Sequence, residues 1–206
     1  MEKPINVIIK ALDKFNTENL SQLLFDNKSE IACNQRLCVA INKGSKDYLA
    51  RVEYTNKADS VSRADLVLIN KKTGKVDLCI EAKTLAIFNI LSPTKGEMKK
   101  GKSHFLFHNL KKNLDKHGKE VSKASLMWVF GWELLDKNPE RHLQEKYFQG
   151  RRRKGMELKS NKQDIRKKIR DSFREAKLGK DIKQKTLYAK DEHEGYKAFV
   201  IATLGN

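Results

Sequence analysis

Two apolar segments joined by a short polar turn constrain the fold of this chain more than any other feature. Residues 63–84 read RADLVLINKKTGKVDLCIEAKT, and the segments on either side of the turn have the composition of buried strands. Between them, Lys72-Thr73-Gly74 suits a three-residue hairpin loop with its glycine in the left-handed conformation. That loop sets the register of the predicted hairpin, which pairs Lys71 with Lys75, Ile69 with Asp77, Val67 with Cys79, and Asp65 with Glu81.

The sequence around the hairpin alternates between helical and extended patterns and predicts a mixed α/β protein. Residues 4–24 have helical spacing with a break near Asn16–Thr17, and a second helix begins at Asn27 or Ser29 and ends at Gly44. A strand is predicted over residues 47–55 and a helix over 97–117. The nearly continuous apolar run SLMWVFGW, residues 125–132, is typical of a strand that is covered on both faces and lies beside the hairpin.

The C-terminal part is basic and mostly helical in pattern. One helix is framed by Asn138, Pro139 and Gly150, and a second covers residues 161–178. We predict one domain over residues 1–206. Its parts are a core over about 27–135, a basic helical extension over about 138–180, and a closing hairpin over about 185–204.

Charged side chains stand at the end of the central hairpin. In the predicted register Asp65 lies opposite Glu81, with Cβ atoms about 4.5–5.5 Å apart, and Lys83 follows on the same face. Two carboxylates this close repel unless a proton or a cation lies between them. Two oxygen ligands suit Mg²⁺, which keeps several waters and takes further ligands from substrate phosphate. We therefore predict a metal site here; the alternative is an exposed charge cluster or a simple ion pair.

These residues resemble the PD-(D/E)XK nuclease superfamily. Asp65 is followed, after 15 residues, by Glu81-Ala82-Lys83, and the predicted α-β-β-β-α-β order over about residues 27–132 is similar to the core of that superfamily. The family's Pro-Asp pair is Ala64-Asp65 here. The resemblance implies a restriction-endonuclease-like fold, in which a mixed central sheet is flanked by helices.

The resemblance also implies roles for individual residues. Asp65, Glu81 and the backbone carbonyl of Ala82 are expected to bind Mg²⁺, with Mn²⁺ as a substitute, and Lys83 is expected to be catalytic. Many members add a glutamate from the preceding helix. Glu30 fits that place, although an acid in a first helical turn is also favoured by the helix dipole. Glu53 on the first strand is the rival for this role.

Net charge indicates a polyanionic partner. The formal net charge is +17, and it is uneven: residues 1–94 carry 14 basic and 11 acidic side chains, whereas residues 95–206 carry 29 and 15. We expect double-stranded DNA to bind the basic residues of the second half, with a solvated lysine-rich surface as the alternative. The candidate phosphate contacts are Arg151, Arg152, Arg153, Lys154, Arg166, Lys167, Lys168 and Arg170. Arg63 near the hairpin is either a further phosphate contact or an edge charge.

Other features point away from competing functions. His104 and His108 are four residues apart, but no third zinc ligand is evident, so a polar helix face is the better interpretation. Trp128 and Trp132 are expected in the core. The three cysteines form no metal-binding spacing, and no apolar run reaches the roughly 18 residues of a membrane span. We expect a cytoplasmic protein that does not bind membranes.

The function predicted from the sequence is a Mg²⁺-dependent, restriction-type endonuclease that hydrolyses phosphodiester bonds in DNA. A Holliday-junction resolvase and an RNA-cleaving toxin of the same superfamily remain open. The alternative from another class is a DNA-binding module that has lost its chemistry. Whether the protein forms a homodimer is also left open; two paired cuts need two active sites, which a dimer would provide.

Overall fold

The structure is a computed structural model of the 206-residue chain. It describes residues 2–25, 29–56, 58, 61–87, 102–134, 162–192 and 196–206. Several predicted features lie outside the described residues: the helix over 138–150, the basic cluster Arg151–Lys154, and the tip of the closing hairpin at 193–195. The side chains of His104 and Trp132 are not described either.

Helices and strands follow one another in the order that the sequence predicts. The helices are α1 (Pro4–Asp13), α2 (Leu20–Phe25), α3 (Ser29–Gly44), α4 (Lys102–Leu114) and α5 (Lys162–Glu175). The strands are β1 (Tyr48–Asn56), β2 (Val61–Asn70), β3 (Val76–Ala86), β4 (Ser122–Leu134), β5 (Ile182–Tyr188) and β6 (Tyr196–Gly205). The break between α1 and α2 falls at the predicted place.

The six strands in the described part of the chain join one sheet in the order β1-β2-β3-β4-β6-β5. β3 and β4 are parallel, and the other neighbouring strands are antiparallel. A parallel pair needs a crossover connection, and α4 lies in the segment that joins β3 to β4. The prediction of a mixed α/β protein is therefore confirmed.

The predicted register of the central hairpin holds in its middle but not at its ends: pairing runs only from Leu66 with Ile80 to Ile69 with Val76, so Asp65 and Glu81 do not form the predicted pair. Val67 pairs with Cys79 as expected, but Ile69 pairs with Val76, which leaves Asp77 as an extra residue on β3. The predicted pairs of Ile69 with Asp77 and of Lys71 with Lys75 are therefore wrong.

Asn70 explains this shift. Its side-chain oxygen accepts hydrogen bonds from the backbone N–H groups of Lys72 and Thr73, and its backbone N–H donates to the carbonyl of Lys75 at 2.9 Å. Gly74 has φ 70°, as predicted. The turn is thus a four-residue loop with a bulge, and the bulge restores the predicted register beyond it.

Helices cover both faces of the sheet. α1, α2 and α3 pack on one face through an apolar cluster that includes Ile8, Leu20 and Leu37. α4 and α5 pack on the other face, where Leu110 and Ile169 meet Leu85 of β3 and Val129 of β4. No helix in the described part of the chain combines the length and hydropathy needed to cross a bilayer.

A buried hydrogen bond ties α3 to the centre of the sheet. The Trp128 indole is fully buried, which confirms its predicted core position, and its Nε1–H donates to Asn34 Oδ1 at 2.9 Å. Both groups are out of contact with solvent, so loss of either partner leaves the other without compensation.

We expect Asn34→Leu to lower the free energy of unfolding by about 1–3 kcal/mol, because the indole N–H would remain buried without an acceptor. Urea denaturation in EDTA would measure this change. Gln35→Leu, one residue along on the exposed side of α3, is the control and should stay within about 0.5 kcal/mol of wild type. Equal stability of the Asn34→Leu variant would show that the hydrogen bond contributes nothing.

Candidate active site

β2 and β3 stop pairing before either strand ends. The last pair is Leu66 with Ile80, although β2 extends back to Val61 and β3 continues to Ala86. We call the opening between residues 61–65 of β2 and residues 81–86 of β3 the fork. On the other side of β3, pairing with β4 continues without interruption to Ala86. The backbone of β3 therefore has one unpaired side, and this side faces the fork.

Two carboxylates accept the backbone hydrogen bonds that β2 no longer accepts along this part of β3. The backbone N–H of Ala82 donates to Asp65 Oδ2 at 2.7 Å, and the N–H of Thr84 donates to Glu30 Oε2 at 3.1 Å. Ala82 and Thr84 are two residues apart, so their N–H groups point to the same side of the strand. Asp65 thus comes from β2 and Glu30 from the first turn of α3, and both are held by the backbone of β3.

Lys83 places its ammonium group among these acids. Its Nζ lies 3.0 Å from Glu30 Oε1 and 3.6 Å from Asp65 Oδ2, and it donates to the carbonyl oxygen of Ala82 at 2.5 Å. Burial alone would lower the pKa of Lys83, but the charges of Asp65 and Glu30 outweigh it and raise the pKa. For Glu30, burial raises the pKa and the Lys83 charge partly offsets that rise. The lysine is therefore a charged group in the fork.

Glu81 is the most buried acid of the site, with 3% of its surface exposed. Its Oε1 lies 2.9 Å from Nε2 of His117. Burial raises the pKa of Glu81 to about 7, and the neighbouring charge of Asp65 acts in the same direction, whereas Lys83 and a hydrogen bond from Asn113 oppose it. The charge of Asp65 thus acts on Glu81, although β2 and β3 have already separated here and the two residues are not the cross-strand pair that the sequence predicted.

Glu30 and Glu53, the two candidates for the additional acid of the site, lie in different places. Glu30 reaches the fork, whereas Glu53 forms an ion pair with Arg63, whose Nε donates to Glu53 Oε2 at 2.7 Å. The side chain of Arg63 is 77% exposed. Neither Glu53 nor Arg63 is brought to the acids of the fork by these contacts.

The other predicted nucleic-acid contacts lie on or before α5. Lys167 and Lys168 are exposed, and Arg166 and Arg170 are partly buried. Arg166 donates from Nη2 to the carbonyl oxygen of Gln184, which links α5 to β5. Arg166 therefore has a packing role as well, and its contact with nucleic acid stays a prediction.

The oxygen atoms of the fork fit a hard divalent cation. Asp65, Glu81 and the carbonyl of Ala82 would supply oxygen ligands to such an ion, and Mg²⁺ needs few of these because it keeps several of its waters. The Lys83 ammonium already contacts two of the three groups, so the cluster accommodates positive charge. Within the described residues no three His, Cys, Asp or Glu side chains form a ready-made metal site. His108 is exposed on α4.

Sequence reasoning missed His117 and Asn113. His117 is separated from Glu81 by 36 positions and follows α4, so no local spacing pattern links the two. Only the β3–α4–β4 crossover brings them together.

Comparison with known proteins identifies no relative: no family model, curated protein sequence or solved structure matches this chain. A function for this protein therefore has to be inferred from the geometry of the fork and the charge of the chain.

The raised pKa of Glu81 predicts a specific pH dependence of stability in EDTA. A carboxyl group with a pKa near 4.5 when unfolded and about 7 when folded stabilises the fold fully below pH 4.5, and loses that contribution as the pH rises to 7. The Glu81→Gln variant has no carboxyl group at this position, so it does not lose stability in this way as the pH rises. We expect the stability of the variant relative to wild type to increase between pH 4.5 and 7 and then to level off.

Urea denaturation of both proteins across this pH range would measure the effect. Glu175→Gln, at an exposed position of α5, controls for the loss of one negative charge. Parallel stability curves for wild type and Glu81→Gln would contradict the burial of an ionisable Glu81.

Proposed function

We propose that this protein is a Mg²⁺-dependent endodeoxyribonuclease with a restriction-endonuclease-like fold of the PD-(D/E)XK type. The observation that carries the proposal is the fork, where Asp65, Glu81 and Lys83 meet beside Glu30. The topology supports it as well: three antiparallel strands, a helical crossover and a fourth strand parallel to the third follow the expected α-β-β-β-α-β order.

Asp65, Glu81 and the carbonyl of Ala82 would hold Mg²⁺, with Mn²⁺ as a substitute. The bound ion would supply Lewis-acid polarisation of a phosphoryl oxygen and a lowered pKa for a bound water. The protein side of the site follows from its hydrogen bonds. The β3 backbone fixes the Asp65 carboxylate, and His117 and Asn113 hold the Glu81 carboxylate.

Lys83 would stabilise the negative charge that develops on phosphate during hydrolysis, or would orient the attacking water. In this reaction a water oxygen bonds to phosphorus and the water gives up a proton, while the bond from phosphorus to one deoxyribose oxygen breaks and that oxygen takes up a proton. Asp65 and Glu30 keep Lys83 charged, and Glu30 also positions it through the 3.0 Å ion pair. A fixed cation aimed at developing charge needs little reorganisation in the transition state.

The charge of the chain favours nucleic acid as the substrate. The net charge of +17 gives long-range attraction for a polyanion, and phosphate contacts position a substrate without selecting a base sequence. A restriction-type role accounts for an active site and a basic extension in one chain.

Incubation with plasmid DNA in Mg²⁺, and in parallel with EDTA, tests the proposal. Discrete fragments that form only with Mg²⁺ are expected. Resolved cruciforms would instead indicate a junction resolvase, and degraded tRNA with intact DNA would indicate an RNA-cleaving toxin. Binding without any cleavage would indicate a DNA-binding module.

Glu81→Ala should remove the metal-dependent cleavage, and undiminished cutting by this variant would refute the assigned site.

We expect Lys83→Met to lower the single-turnover cleavage rate by about 10²–10³-fold. The variant keeps a long side chain but removes the charge. Because it also removes a cation that competes for Asp65 and the Ala82 carbonyl, Mn²⁺ should bind at least as tightly as in wild type. Quench-flow kinetics and calorimetry would measure the two effects.

Lys75→Met, at an exposed position beside the hairpin turn, is the matched control. A Lys83→Met protein that cuts at the wild-type rate would exclude a role for Lys83 in the chemistry. A variant that loses metal binding and cleavage together would make Lys83 a structural partner of the acids.

The basic cluster Arg151, Arg152, Arg153 and Lys154 should supply affinity and little of the chemistry. Replacing all four with Gln should make the log–log salt dependence of duplex binding shallower by about 3–4 units, if each contacts one phosphate. Binding titrations in Ca²⁺ at several salt concentrations would measure the slope. Gln at the exposed Lys3, Lys14, Lys43 and Lys46 is the charge-matched control, and an equal change in both variants would contradict a local phosphate contact.

A further inference from the structure

We infer that His117 is a positioning residue, which holds the Glu81 carboxylate in the orientation that binds the metal. The inference rests on the metal site of the proposed nuclease. His117 Nε2 and Glu81 Oε1 are 2.9 Å apart, and only 1% and 4% of the two side chains are exposed. A hydrogen bond so far from solvent restricts the carboxylate, because water cannot replace the imidazole as its partner.

The chain fixes His117 independently of Glu81. Its backbone N–H donates to the carbonyl of Leu114 at the end of α4, and its own carbonyl accepts a hydrogen bond from Lys123 Nζ of β4 at 2.6 Å. Leu110 and Leu114 anchor α4 in the core beneath it. The imidazole is therefore presented from a rigid support, which a positioning role requires.

The second ring nitrogen shows what the histidine contributes. Nδ1 is buried and has no hydrogen-bond partner in the described part of the chain. An unpaired buried polar atom costs free energy, so an apolar side chain would fill this space at lower cost. The contact of Nε2 with Glu81 is the interaction that an apolar residue could not provide. A neutral ring with its proton on Nε2 donates to the carboxylate and leaves only a lone pair on Nδ1.

Glu81 needs such a support because of its other neighbour. The charge of Asp65 acts on Glu81 from the β2 side, while the β3 backbone holds Asp65 in place. Without His117, Asn113 alone would hold Glu81 on the α4 side, and repulsion would favour rotamers of Glu81 that point away from Asp65. Groups that orient metal ligands typically contribute about 10–100-fold to metal affinity or activity.

A pair of amide substitutions tests this role. Gln places its amide nitrogen near the position of histidine Nε2, whereas the shorter Asn does not reach it. We expect His117→Gln to bind Mn²⁺ within about threefold of wild type, and His117→Asn to bind it about 10–100-fold more weakly. Calorimetry with MnCl₂ in the absence of nucleic acid measures affinity, and thermal unfolding shows whether each variant is folded. His108→Asn, at an exposed position on α4, is the control and should bind as wild type does.

NMR of the wild-type protein gives a second measurement that does not require a variant to fold. Mg²⁺ should shift the ring resonances of His117 and leave those of His108 unchanged; a His117 ring that does not respond would overturn the inference. Equal Mn²⁺ affinity of folded His117→Asn and wild type would also overturn it. Variants that follow the expected order in a protein that cuts no nucleic acid would uphold the role of His117 and refute the nuclease function.

Discussion

Two backbone N–H groups of β3, those of Ala82 and Thr84, determine how the site is built. They lie where β2 has separated from β3; Ala82 is buried and Thr84 partly buried, and a fully buried N–H without an acceptor costs about 1–3 kcal/mol. Asp65 and Glu30 supply the acceptors. The acids are thus placed by the hydrogen-bonding needs of the sheet as well as by side-chain packing. Any change that closed the fork by extending the strand pairing would displace them.

The charge at the fork is negative, whereas the net charge of the chain is positive. This contrast connects metal binding with substrate binding. Asp65, Glu81 and Glu30 surround a single lysine at the fork, whereas the chain as a whole carries +17. Basic surface residues attract a polyanion at long range, but a phosphate that reaches the fork meets carboxylates. A divalent cation between the carboxylates would reverse that local repulsion. On the proposed function, the same ion that assists the chemistry also makes the fork accessible to phosphate.

Sequence reasoning succeeded where local rules determine the structure and failed where distant segments meet. Gly74 and the strand alternation brought Asp65 and Glu81 to the same end of the hairpin, and the register from Leu66 to Leu68 survived an error at the turn because the bulge at Asp77 compensates for it. The sequence left Glu30 and Glu53 open, since both precede the motif and both could point to it. In the structure the first turn of α3 carries Glu30 into the fork, whereas Glu53 pairs with Arg63. His117 was missed because a loop histidine has no periodicity that reports its partner.

The parallel pairing of β3 and β4 explains why a loop after α4 can reach Glu81. A chain that forms two parallel neighbours has to return to the end of the sheet where the first strand began. β4 starts at Ser122 opposite Leu78, near the start of β3, and His117, five residues earlier, contacts Glu81 where the chain runs from α4 to that end of the strand. Asp65, Glu81, Glu30 and His117 consequently come from four segments: β2, β3, α3 and the end of the crossover. No single hairpin or helix can assemble this set, so the site forms only when β2, β3, α3 and the crossover are all in place.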